Sequence, residues 1–179
     1  FSERGFSVVA AGETNEVFVL NTCTVTERAD RECRQIIRRV LRNAPDTFVI
    51  VTGCYAQLNA DEIAAIAGVD LVLGSAEKFS AADLAGDFRK RALPQVFVSC
   101  IDEADDCAEA STGEDAGRTR AFLKIQDGCD YSCSFCTIPL ARGASRSVPA
   151  ERIVEAAAKL GDEGYREVVL TGVNVGDYG

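Results

Sequence analysis

Apolar positions along the chain switch between two periods, and the switching marks out an alternation of strands and helices. Val17-Phe18-Val19-Leu20 is a continuous apolar run suited to a strand buried in a parallel sheet. Thr24 and Glu27 form a capping box, and the helix they open is predicted to run to about Asn43, where Pro45 stops it. Its apolar positions Ala29, Cys33, Ile36, Ile37 and Val40 share one face. Thr47 to Thr52 predicts the next strand, Asp61 to Ala67 a helix, and Leu71 to Leu73 a third strand. A further helix is expected from Ala76 to Phe88, and an edge strand from Val96 to Ile101. Between Asp102 and Gly117 come seven acids and no base, the composition of a solvated linker. A second unit then starts with the strand Ala121 to Ile125. Pro149 begins a helix to about Leu160, and Val168 to Leu170 forms a strand that runs into Thr171-Gly172-Val173-Asn174. The pattern is α/β throughout, with domains at 1–101 and 119–179 joined by residues 102–118, and the second begins as a βαβ unit.

Composition narrows this picture. At 179 residues the chain is long enough for one good core, or one domain and part of another. Its net charge of −9 argues against nucleic-acid binding by this stretch alone. Eight cysteines could suggest a secreted disulfide scaffold. The chain is larger than such scaffolds, however, and its cysteines close on motif loops, which points to a reducing cytoplasm and metal ligation. No apolar run approaches a membrane span. There is no methionine, so Phe1 is not a natural start, and the expectation is an internal piece of a longer protein.

Cys129, Cys133 and Cys136 carry most of the chemistry. Their C-x3-C-x2-C spacing, with Phe135 just before the last, fits one short loop wrapping one iron–sulfur cluster. Cluster irons take four thiolates, and with three offered and no histidine in the chain, one iron stays open for chemistry. Structural zinc would want four ligands, with a second C-x2-C or a histidine pair. The loop resembles that of the radical S-adenosylmethionine enzymes, whose open iron chelates the cofactor's amino and carboxylate groups. Cys23 and Cys54 each follow a strand end, and a crossover between the strands places both at one sheet edge, where α/β sheets bind ligands. They read as two ligands of a second cluster, against the alternative of two buried free cysteines. Cys33 lies on the helix stripe and reads as core. Cys100 ends an edge strand and Cys107 floats in the linker, and neither is expected to ligate anything.

Three motifs together resemble one family. Asn21-Thr22-Cys23-Thr24-Val25-Thr26, Gly53-Cys54-Tyr55-Ala56-Gln57, and the cysteine loop with Ile138-Pro139-Leu140-Ala141-Arg142-Gly143 are similar to the methylthiotransferases. The run from Arg120 to Cys129 looks most like the branch acting on N6-threonylcarbamoyladenosine in tRNA. The resemblance implies a flavodoxin-like amino-terminal domain followed by the start of a radical S-adenosylmethionine partial (β/α) barrel. It implies two 4Fe-4S clusters and S-adenosylmethionine as cofactors, with no catalytic residue beyond the cluster ligands. Cys129, Cys133 and Cys136 would bind the cluster that cleaves the cofactor. Phe135 would lie beside the adenine, with Thr171, Gly172 and Asn174 at the cofactor-contacting strand end. Cys23 and Cys54 would match the second and third ligands of the auxiliary cluster, the first lying in an upstream Gly-Cys motif. The rest of the barrel and a basic tail domain are likewise expected outside this stretch.

The implied chemistry reduces the cofactor to methionine and a 5′-deoxyadenosyl radical, which takes hydrogen from C2 of the adenine. The auxiliary cluster then delivers a methylated sulfur to that carbon. The implied partners are the tRNA anticodon region, an electron donor such as flavodoxin or ferredoxin, and a sulfur source, with no membrane. Same-class alternatives are the enzymes acting on isopentenyl-adenosine in tRNA or on a ribosomal-protein aspartate. The alternative of another class is a non-catalytic iron–sulfur or zinc module that binds RNA. Arg28, Arg31, Arg34, Arg38, Arg39 and Arg42 load one helix, as phosphate contacts or as a solvated face. Arg142, close to the cysteine loop, is the candidate substrate contact, with Arg146 just beyond.

Overall fold

The computed structural model describes residues 1, 4–10, 13, 15–24, 26–104, 107, 110–111 and 119–179. They form two compact units, Phe1–Ile101 and Asp102–Gly179.

The first unit is a four-stranded parallel sheet of β1 (Val17–Thr22), β2 (Phe48–Gly53), β3 (Leu71–Leu73) and β4 (Gln95–Phe97), in that spatial order. Every residue of β2 is buried, as a central strand covered on both faces requires. Val49 and Val51 face one core with Cys33, Ile37, Tyr55 and Ile63. Phe48 and Ile50 face the other with Leu71, Leu73, Ala81 and Ala85. The first face is covered by α1 (Glu27–Asn43), α2 (Cys54–Leu58) and α3 (Ala60–Ala64), the second by α4 (Ala81–Leu84).

Several boundaries differ from the sequence expectation. The cap of α1 is Thr26, not Thr24: its backbone is extended and its hydroxyl accepts the Ala29 N–H at 3.2 Å. A cap must accept a proton two or three residues on, and β1, running to Thr22, leaves Thr24 buried beside it. The helix expected over 76–88 is a 3-10 turn, Glu77–Ser80, followed by one turn of α4. The strand expected over 96–101 stops at Phe97, and Ile101 opens a 3-10 turn.

At the amino ends of the strands the buried Asp70 carboxylate accepts the Val49 and Arg91 N–H groups at 2.8 and 2.9 Å and Lys90 Nζ at 2.8 Å. Lys90 also donates to the Thr47 and Gly68 carbonyls, so strand ends from separate parts of the chain meet at one ion pair.

In the second unit β5 (Ala110–Ser111), β6 (Arg120–Lys124) and β9 (Glu167–Thr171) form a sheet in which β6 and β9 run parallel and β5 antiparallel to β6. Helix α6 (Ala150–Asp162) leads into β9, and its Ile153, Ala156, Ala157 and Leu160 pack on Ala121, Leu123 and Ile125. A two-stranded antiparallel ladder of β7 (Gln126–Asp127) and β8 (Arg146–Ser147) closes the excursion between them, which carries the cysteine loop and α5 (Ile138–Arg142). The stretch 102–118, expected to be solvated linker, contributes β5 and the buried Cys107 to this unit. A strand edge at β6 offers free backbone groups, and composition alone does not reveal that demand. Residues 105, 106, 108, 109 and 112–118 lie outside the described residues.

Candidate cluster and cofactor site

The cysteine loop leaves the β7–β8 ladder through Gly128. This residue has φ +75°, and a Cβ there would run into the Ala144 carbonyl, so the position takes no side chain. The stem is stitched on both sides: Cys129 N–H donates to the Gly143 carbonyl at 3.1 Å and Ser145 N–H to Asp130 Oδ1 at 2.8 Å. Farther out, Cys136 N–H donates to the Cys133 carbonyl at 3.0 Å in a tight turn. Cys129 and Cys136 are half-buried and Cys133 exposed. The ring of Phe135 is 88% exposed and, among the described residues, makes no ring–ring contact.

Beneath the loop lies Asp127. Its Oδ1 accepts Gly128 N–H at 3.0 Å and Arg142 Nη1 at 2.9 Å, and its Oδ2 accepts Lys124 Nζ at 3.1 Å. Burial alone would raise this carboxyl, but the charges of Lys124 and Arg142 outweigh it and hold the pKa at about 2. Arg142, the candidate substrate contact, is thus engaged in the loop's foundation, and its carbonyl accepts Arg146 Nη2 at 2.7 Å.

Thr171 ends β9, and the segment after it turns back over Gln126. Gln126 Oε1 accepts both the Val173 and Asn174 N–H groups at 2.9 Å, and a Cβ at Gly172 would stand 2.8 Å from that oxygen. Asn174 Nδ2 donates to Asp177 at 2.6 Å, and Tyr131 of the cysteine loop also donates to Asp177, at 3.4 Å. The structure therefore brings Thr171, Gly172 and Asn174 beside the base of the cysteine loop.

In the first unit Thr22 and Gly53 are register partners, so Cys23 and Cys54 leave adjacent parallel strands at the same level. Thr22 Oγ1 donates to the Thr52 carbonyl at 2.5 Å and accepts Ala56 N–H at 3.3 Å. Gly53, at φ +100°, has no room for a Cβ against the Thr22 carbonyl and Asn21 Oδ1. Cys23 is exposed, and Cys54 heads the short helix α2, which was not expected from the sequence. Behind it Arg34 Nη1 donates to the buried Tyr55 hydroxyl at 2.6 Å and pairs with Glu62 at 2.8 Å.

Cys33 is buried in the core as expected, and burial pushes its thiol up. Cys100 does not end a strand: it is exposed in the loop beyond β4, where Gln57 Nε2 donates to the Ser99 carbonyl at 3.0 Å. Cys107 is buried, not floating in solvent.

Among the described residues no three Cys, Asp or Glu side chains are assembled to hold a metal ion. The donor set nevertheless fits an iron–sulfur cluster. Three thiols fall within eight residues on a loop whose stem is fixed and whose outer part is neither helix nor strand. Gln126, Asp127 and Asp177 are the residues sequence reasoning passed over. Their signal was faint: two polar positions continuing an apolar strand just before a glycine, and a lysine–aspartate pair three residues apart.

Comparison with known proteins agrees with this arrangement. Residues 1–74 match the family described as Uncharacterized protein family UPF0004, and residues 123–179 match the Radical SAM superfamily. The chain is 44% identical, over its full length, to the threonylcarbamoyladenosine tRNA methylthiotransferase MtaB of Bacillus subtilis, covering 40% of that protein. It is 36% identical over 99% of its length to the protein of the same name from Thermotoga maritima, again covering 40%. It is 31% identical over 99% of its length to the ribosomal protein uS12 methylthiotransferase RimO of Chloroflexus aurantiacus, covering 42%. The chain thus spans about two-fifths of the length of these curated relatives. With both family matches in order and relatives aligned from end to end, the chain is similar over its whole length to methylthiotransferases, and its second unit to the radical S-adenosylmethionine proteins.

Proposed function

We propose that the protein containing this chain transfers a methylthio group to C2 of N6-threonylcarbamoyladenosine at position 37 of tRNA, beside the anticodon, in the cytoplasm. One observation carries the reading: a three-thiol loop stands at the carboxyl end of a parallel strand pair, bound through Gln126 to the segment after β9. Loops at that edge are where parallel α/β sheets do chemistry. The relatives' names supply the substrate. No described helix is long and apolar enough to cross a membrane.

Residues 1–101 are the methylthiotransferase domain and 119–179 the beginning of the radical S-adenosylmethionine domain, with 102–118 as the acidic join. Cys129, Cys133 and Cys136 hold a 4Fe-4S cluster, leaving one iron for S-adenosylmethionine. Cys23 and Cys54 supply two ligands of an auxiliary cluster. When bound, the clusters and S-adenosylmethionine supply the radical and the sulfur that an unactivated carbon requires. Phe135 offers the cofactor an apolar ring, and Thr171, Gly172 and Asn174 offer it backbone and polar contacts. Asp127 anchors Arg142 and Lys124 below the loop, and Arg142 is the candidate substrate contact. Electrons come from a carrier such as flavodoxin or ferredoxin, and sulfur from a separate donor.

The test is nucleoside mass spectrometry of tRNA from cells lacking the full-length gene. The methylthio derivative of threonylcarbamoyladenosine should vanish, return with the intact gene, and stay absent with Cys133→Ala. Unchanged tRNA with a missing modification on a ribosomal protein would overturn the substrate. Purified protein holding zinc without iron or sulfide would overturn the enzyme.

A further inference from the structure

Gln126 is fully buried, and every polar atom of its amide is in use. The two protons of Nε2 are shared among the Asp127 carbonyl at 3.1 Å, the Gly128 carbonyl at 2.8 Å and Ser145 Oγ at 2.9 Å. Oε1 accepts from Val173 and Asn174, both at 2.9 Å. The two ends of the amide serve different segments: the nitrogen holds the stem of the cysteine loop, the oxygen the segment after β9. The amide cannot be turned over, because the two backbone N–H groups demand an acceptor. Gly172 presses on it from above with no room for a side chain, and Asp177 ties Tyr131 and Asn174 at the outer margin.

We infer that Gln126 is a positioning residue that holds the cysteine loop and the β9-end segment in one frame, so that a cofactor touching both meets them at a fixed separation. The inference rests on the proposed function, since it takes S-adenosylmethionine as that cofactor. A buried amide serving only to satisfy backbone groups would make loop, segment and fold fail together. A frame makes a different demand. Iron is held by the loop alone, whereas cofactor binding depends on loop and segment together, so loss of the frame separates the two.

The experiment uses the full-length protein, reconstituted anaerobically with iron and sulfide. Gln126→Met removes both sets of contacts, and Gln126→Glu keeps the acceptor while removing the donors. For Gln126→Met the iron content should match the unaltered protein, while affinity for S-adenosylmethionine in equilibrium dialysis falls roughly ten- to a hundredfold, the scale of a small misplacement. The change that S-adenosylmethionine causes in the electron paramagnetic resonance spectrum of the reduced cluster should shrink in parallel. Gln126→Glu should fall between. Affinity within twofold of the unaltered protein, or iron and affinity lost together in both variants, overturns the inference. If Gln126→Met does not fold, Gly172→Ala, which forces the segment off the amide, must show the same separation. Its retention of full affinity overturns the inference equally. An unaltered protein that binds no iron or no S-adenosylmethionine overturns the proposed function and this inference with it, and so is told apart from failure of the inference alone.

Discussion

The two groups of cysteines proposed as cluster ligands are placed by opposite means. In the second unit Cys129, Cys133 and Cys136 are close in sequence, and the fold has only to clamp the stem of one loop. In the first unit Cys23 and Cys54 follow the ends of different strands, and the pairing of Thr22 with Gly53 sets them level. The first design depends on a neck, the second on register. Each nonetheless uses a glycine with positive φ immediately before a cysteine, Gly128 and Gly53, where another segment's backbone occupies the space of a Cβ. A local site tolerates imprecision elsewhere in the molecule, whereas a register site shares the fate of its sheet.

The sharpest test of the local design is removal of a single thiol. Ala at Cys129, Cys133 or Cys136 should each abolish the loop's cluster, about four irons per chain, while circular dichroism stays unchanged. Iron retained at this loop by two thiols would break the comparison. Gly53→Ala tests the register design. It should destabilise the first unit by about 2–4 kcal/mol through strain and overpacking, read as a lower denaturant midpoint. An unchanged midpoint would mean that the strand ends part without cost.

Asp127 gives the neck a pH dependence. Its carboxyl is near 3.8 when free and about 2 in the fold, so the stabilisation is present above pH 3.8 and is lost as pH falls through about 2. That shift corresponds to about 2 kcal/mol. Asp127→Asn should remove this acid-limb dependence while lowering stability at neutral pH, measured by urea unfolding from pH 7 to pH 2. Cys100→Ser should have the smallest effect: an exposed loop thiol outside both sites, worth less than about 0.5 kcal/mol, with the full-length protein's iron content unchanged.

Much of this was legible in the residues. Buried strands announce themselves as apolar runs, so β1, β2, β3, β6 and β9 were placed within a residue or two. Cysteine spacing is local, so the loop was found directly. The short helix α2, the β7–β8 ladder and the antiparallel β5 were missed, because each exists through tertiary contacts that no periodicity encodes. Gln126 illustrates the limit. A glutamine after an apolar strand is unremarkable in sequence, and its role arises from Val173 and Asn174, forty-seven and forty-eight positions away.

The Asp70–Lys90 pair gives the first unit a mechanical polarity. Fastened at the ends where its strands begin, the sheet should fray from the end that carries Cys23 and Cys54. Amide hydrogen exchange should then run fastest at Asn21, Thr22 and Thr52 and slowest at Val49 and Leu71, with a bound cluster acting as the second rivet that flattens the gradient.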